Sequence, residues 1–169
     1  MKRIYQIHVA ALTTLLILFQ GVAHAEVQEY DLKAAFIYNV ALFTDWPADT
    51  FEEKDSAFNF CVTGTDPFGN ALEPLRAKLL KQRKINILSL AKNPDLNRYQ
   101  VLFIPVTEGQ RVESILKDIK NSSILTLSED NSIYKKGIML NVSIIDNKLR
   151  FQVNLDAVSA AKLAISSKL

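Results

Sequence analysis

Residues Leu32 to Trp46, ending against Pro47, are apolar nearly all round when set on a helix, and such a helix must bury two faces. Leu32, Ala35, Phe36, Val40 and Phe43 recur at the i, i+3, i+4 spacing and predict the stripe that meets the core. Ile37, Tyr38, Ala41 and Leu42 form a second strip, either covered by the C-terminal part of the chain or offered to a partner. Glu26, Glu29 and Asp31 place negative charge at the helix start, where the helix dipole favours it. Pro47 disfavours helical geometry at Trp46, so the helix should stop there.

Beyond an acidic connector, Phe58 to Gly64 reads as a strand, and Asp66-Pro67 as a helix start with Asp as cap and Pro at the first helical position. Phe68, Ala71, Leu72, Leu75 and Leu79 keep a helical stripe that Pro74 must kink or split. Ile85 to Leu90 is a second strand, and Asn93 to Tyr99 a turn-rich link. Val101 to Val106 carries no polar residue, the pattern of a central parallel strand covered on both faces. A helix follows with Val112, Ile115, Leu116 and Ile119 inward, then a short strand at Ile124 to Leu127. Ile138 to Ile144 and Leu149 to Asn154 flank Asp146-Asn147, which has hairpin chemistry. A last helix starts near Asp156 with Val158, Ala161 and Ile165 inward. This order predicts an α/β fold: a three-layer α/β/α sandwich with a mostly parallel sheet and a C-terminal antiparallel hairpin.

The chain opens with Lys2 and Arg3, an apolar run through Ala10 to Phe19, and Ala23-His24-Ala25, a small-x-small cleavage signature. Residues 1–25 are thus expected to be a cleaved export leader, leaving a single domain over 26–169. The competing reading, a retained anchor, is disfavoured because the strongly apolar part is short for a span. The 20 basic residues face 18 acidic ones, and cleavage removes Lys2 and Arg3 and no acid, so the mature chain is balanced. That balance gives no argument for nucleic acid as a partner. Lys78, Lys81, Arg83 and Lys84 cluster where a helix is expected to end and read as a solvated cap.

Both histidines, His8 and His24, belong to the leader, which excludes Ser-His-Asp and Cys-His nucleophiles, histidine metal sites and imidazole acid-base chemistry from the mature protein. Cys61 is the only cysteine and sits among strand residues, where it behaves as a small buried hydrophobe. Glu52-Glu53 and Glu129-Asp130 stand on polar connectors and read as solvated loops. No catalytic residue, cofactor or metal is expected, which favours a binding or regulatory protein over an enzyme.

Gly64 to Gly69 lies where a strand hands over to a helix, the place where open parallel sheets bind ligands. Thr65, Asp66 and Gly69 are the residues such a ligand would meet. Yet there is no GxGxxG or Walker pattern and Asp66 would repel a phosphate, so an Asp-capped turn is the favoured reading. Trp46, with Phe43 and Phe51 nearby, reads equally as an exposed aromatic anchor or as the closure of the core. Tyr38 is simplest as a packing residue.

Taken in order, the Leu32–Trp46 block, Phe60-Cys61-Val62-Thr63-Gly64-Thr65-Asp66-Pro67-Phe68-Gly69, Val101-Leu102-Phe103-Ile104, and Phe151-Gln152-Val153-Asn154-Leu155 with Ala160, Leu163 and Ser166 to Leu169 resemble the YfiR family, small periplasmic proteins that restrain membrane-bound diguanylate cyclases. The resemblance covers nearly the whole mature chain. It implies a periplasmic protein that docks on the periplasmic sensory domain of an inner-membrane diguanylate cyclase, lowering cyclic di-GMP and biofilm formation, and that is itself sequestered by an outer-membrane lipoprotein. A homodimer is compatible with it. The expected docking surface is Tyr38, Leu42 and Trp46, with Leu163 on the C-terminal helix. Many members of that family carry a cysteine where this chain has Tyr99, so disulfide-based redox control is not expected here. The alternative is a periplasmic solute-binding or sensing module for a transporter or sensor kinase, with its ligand at Thr65 to Gly69.

Overall fold

The computed structural model describes residues 29–89 and 95–169. The expected leader, the Glu26 start, Leu90 and the Asn93-Pro94 part of the link lie outside the described residues. Helix α1 covers residues 29–42. It is followed by β1 (Thr44–Asp45), β2 (Phe58–Val62), β3 (Leu79–Leu80), β4 (Arg83–Ser89), β5 (Val101–Phe103), α2 (Val112–Asp118), β6 (Leu125–Ser128), α3 (Asn131–Tyr134), β7 (Leu140–Ile145), β8 (Lys148–Val153), α4 (Leu155–Ala160) and β9 (Ala164–Ile165).

The main sheet has seven strands in the order β3-β4-β2-β5-β6-β7-β8. β2 pairs in parallel with β4 and β5, β5 with β6 and β6 with β7, while β3·β4 and β7·β8 close the two ends antiparallel. Strand alternation then builds two apolar cores. Phe60, Val62, Val101, Phe103, Leu125 and Leu127 meet Ala34, Ile37, Val40 and Ala41 of α1 and Val158 of α4. Cys61, Leu102, Ile104 and Ile124 meet Val112, Ile115 and Ile119 around α2 and Ile133 of α3. The fold is mixed α/β, but helix is sparse: α2 has 7 residues and α3 only 4. Asp146 and Asn147 both have positive φ, 52° and 56°, the geometry a two-residue turn needs to match strand twist.

Three expectations are corrected. The inward stripe of α1 is Lys33, Ala34, Ile37, Val40 and Ala41, whereas Leu32 is 44 % exposed and Ala35 faces solvent. An apolar helix does not reveal its own phase, and Val40 is the one member of the expected stripe that is buried. The helix also ends at residue 42, before Trp46, and Thr44 Oγ1 donates to the Val40 carbonyl at 2.7 Å while its backbone joins β1.

No helix runs from Pro67 to Leu79. Asp66 Oδ1 accepts the Phe68 N–H at 2.8 Å to close a turn, Gly69 follows at φ 54°, and only a 3-10 turn forms at Glu73–Ala77. Pro74 has no N–H to continue a helical ladder. Leu79, expected inward, is 58 % exposed on β3.

The last helix stops at Ala160 because Lys162 adopts φ 58°. Lys162 N donates to Ser159 O at 2.9 Å and Leu163 N to Val158 O at 3.1 Å, the pair of bonds of a Schellman cap built on lysine instead of glycine. Ile165 is consequently not helical; it lies on β9, opposite Thr44 of β1.

Cys61 is fully buried, and burial pushes its thiol up to about 12, with the Tyr99 hydroxyl pulling slightly the other way. We expect no reaction with a thiol reagent at pH 8 in the native state and coincident thermal melts with and without reductant. Because the free thiol ionises near 9.0 and the folded one only near 12, its contribution to stability is intact below pH 9 and is lost as the pH rises between the two values. Cys61→Ala should cost about 1–2 kcal/mol in urea titration, as loss of a small buried side chain.

Candidate functional site

The four residues expected to form a docking surface differ in exposure: Tyr38 and Leu42 stand one turn apart on α1, whereas Leu163 is buried. Leu42 is 39 % exposed on the outward side of α1. Tyr38 is half-buried, its hydroxyl donating to Leu79 O at 3.0 Å and its ring lying 4.7 Å from Lys78 Nζ. Trp46 is half-buried and stands edge-on to Phe58, with centroids 5.0 Å apart, its indole N–H buried without a partner among the described residues. Beside it Lys81 Nζ binds Asp45 Oδ1 at 2.5 Å. Leu163 is 5 % exposed and belongs to the core under α4, so it offers nothing to a partner.

What the surface does present is the outward face of α1. Leu32, Ala35 and Leu42 are exposed and Phe36 and Phe43 half-buried, with Asp31 and Asn39 as the polar residues among them. The Phe36 ring meets Phe151 of β8 with centroids 5.0 Å apart, and Phe151 is itself 43 % exposed. The apolar strip therefore runs from the helix onto the edge of the sheet. Sequence periodicity had identified most of these residues, but as the buried stripe.

The turn at Thr65, Asp66 and Gly69 closes on itself. Its one carboxylate is spent on the Phe68 amide, and Phe68 anchors the turn through edge-on contacts with Phe103 at 4.8 Å and Tyr30 at 5.3 Å. At Gly64, which has φ 60°, an added Cβ would run into the Glu108 carboxylate.

A charged cluster lies under the start of α1 and corrects the reading of Glu129 as a solvated loop residue, since its side chain is 14 % exposed. Lys33, 3 % exposed, places Nζ 2.5 Å from Glu129 Oε2 and 2.5 Å from Glu29 Oε1. The Tyr30 hydroxyl donates to Glu129 Oε1 at 3.3 Å, and Lys33 Nζ sits 4.5 Å from the Tyr30 ring centre. The Glu29/Lys33 i, i+4 spacing was a visible signal; the long-range partner Glu129 was not. The cluster ties α1 to the β6–α3 connection.

A cavity of about 600 Å³ opens over β2 and β4, lined by Asn59, Asn86, Tyr99 and Gln100 among others. Its amides largely satisfy one another: Asn59 N donates to Gln100 Oε1 at 2.8 Å and Asn86 Nδ2 to Asn59 Oδ1 at 3.1 Å. Among the described residues no group of three or more His, Cys, Asp or Glu is placed to hold a metal ion, and no helix is long and apolar enough to cross a membrane.

Compared with known families, residues 30–169 match the one described as YfiR/HmsC-like. No curated protein matches the chain.

Proposed function

The chain belongs to the YfiR/HmsC-like family, and from that membership we propose that it is a periplasmic regulator that docks on the periplasmic part of an inner-membrane diguanylate cyclase and lowers its cyclic di-GMP output. Residues 1–25 serve as the export leader and 26–169 form one regulatory domain. Binding one conformation of the cyclase's periplasmic part biases the cyclase away from its active arrangement, so inhibition is a population shift and needs no chemistry from this chain. The absence of histidine from residues 26–169 supports a binding role, as do the outward apolar residues of α1. An outer-membrane lipoprotein that competes for the same protein, and a homodimer, fit this scheme as further partners.

The observation that carries the docking surface is the outward strip of α1, in which Leu32, Ala35 and Leu42 are exposed and Phe36 lies half-buried against Phe151. Of the residues first expected there, Leu42 remains. Leu32→Asp and Leu42→Asp are expected to weaken binding to the purified periplasmic domain of the cyclase by about tenfold or more, in calorimetric titration, because they put a charge into a desolvated contact. Both positions are exposed, so urea midpoints should correspond to changes within about 0.5 kcal/mol. Undiminished binding by both variants would remove α1 from the interface.

A further inference from the structure

We infer that β8 is a second docking element, an open sheet edge that accepts an extended partner segment in which apolar and acidic residues alternate. The assignment of that segment to a cyclase rests on the function proposed above; the chemistry of the edge does not.

β8 is the last strand of the seven-stranded sheet, and the opposite edge, β3, has only 2 residues against the 6 of β8. Ile145 and Lys148 pair directly across the two-residue turn, so Lys148, Arg150 and Gln152 spend their backbone groups on β7. The N–H and C=O groups of Leu149, Phe151 and Val153 then point away from the sheet. Among the described residues no backbone hydrogen bond beyond the ladder engages residues 148–153. The strand contains no proline, and its guards against uncontrolled pairing are the two cations.

The side chains select what adds to this edge. Toward α1 stand Leu149, Phe151 and Val153, with Phe36 against Phe151 and Leu32 one helical turn from Phe36, forming an apolar shelf. On the other face Lys148 and Arg150 are exposed, lie opposite the uncharged Ile145 and Ser143, and enter no ion pair among the described residues. An incoming strand therefore meets apolar surface at one residue and unpaired positive charge at the next. A second copy of this chain is a poor occupant, since antiparallel self-pairing brings the same cations together. Main-chain bonds supply the affinity of such strand addition, and alternate side chains its specificity.

The test uses residues 26–169 and two short synthetic peptides, one alternating Val and Glu and the other Val and Lys, followed by amide exchange in NMR. The Val/Glu peptide should protect the amides of Leu149, Phe151 and Val153 and bind about tenfold more tightly than the Val/Lys peptide at low salt. Arg150→Glu should abolish that preference. Phe151→Pro removes an outward donor but leaves the β7 ladder whole, so it should bind about tenfold more weakly than Phe151→Ala, which loses the same ring and keeps the donor. Absence of protection at millimolar peptide, or equal binding of both peptides, overturns the inference; should Phe151→Pro fail to fold, those two readouts still decide. Repeating the exchange with the cyclase's periplasmic domain separates the claims. Binding that protects other amides and leaves β8 exchanging rejects β8 as the docking edge for the cyclase and keeps the proposed function. An acidic peptide that protects β8, with no binding by the cyclase domain, does the reverse.

Discussion

Glu129→Ala is expected to destabilise the protein by about 3 kcal/mol or more, the range for removing one partner of a buried ion pair. The loss exceeds that of an ordinary surface salt bridge because of where Lys33 sits. Its side chain is 4 % exposed, Glu129 is 14 % exposed, and the remaining partner, Glu29, is 38 % exposed and is screened by water. Without Glu129 the ammonium keeps Glu29 as its charged partner in a site nearly closed to solvent, and the Tyr30–Glu129 hydrogen bond is lost. Lys33→Met combined with Glu129→Leu should recover most of the loss, since replacing both charges removes the desolvation penalty together with the attraction. Urea titrations of Lys33→Met, Glu129→Leu and the double variant close the cycle. Equal losses in the double variant and in Glu129→Ala would mean that the cluster is packing and its charge is incidental.

Phe58→Ala is the second large effect, about 4 kcal/mol. Phe58 is fully buried at the start of β2, where Trp46 meets it edge-on at 5.0 Å and Phe51 lies tilted at 6.0 Å. Truncation opens a cavity and removes two ring contacts, each contributing about 0.5–1.5 kcal/mol beyond its buried area. Trp46 is the only tryptophan in the chain, so its fluorescence reports the site directly. A red shift in native buffer with little change in Leu32→Asp is expected. An unchanged emission maximum would show that Trp46 is held by something other than Phe58.

Strands β2 and β4 to β8 were readable because their signals are local, whereas the two-residue strands β1, β3 and β9 were not. The apolar run expected as a strand over Val101 to Val106 is a fully buried strand only to Phe103, with Val106 57 % exposed, while Asp146-Asn147 marked the β7–β8 turn. The ligand-like turn was also readable as an Asp cap, with Asp66 binding the Phe68 amide. The phase of α1 was not. Apolar residues at 32, 34, 35, 36, 37, 40, 41, 42 and 43 fit several stripes, and the buried one includes a lysine whose partner Glu129 is 96 residues away. The C-terminal turn was hidden for a different reason: its left-handed cap falls on Lys162 instead of glycine, so nothing local announced that Ile165 would leave the helix for β9. Leu163 was consequently placed on a surface it does not reach. Trp46 stood between anchor and core in the sequence, and in the structure it is half-buried with its ring edge-on to Phe58.

The central claim, that this chain restrains a periplasm-facing diguanylate cyclase, is tested most directly by cellular cyclic di-GMP. The comparison is between a deletion strain and the same strain carrying either the intact chain or the Leu32→Asp/Leu42→Asp variant, each confirmed present in the periplasmic fraction. Deletion should raise cyclic di-GMP, the intact chain should restore the lower level, and the variant should fail to restore it. Cyclic di-GMP that stays the same on deletion, under conditions where the protein is expressed, would contradict the account.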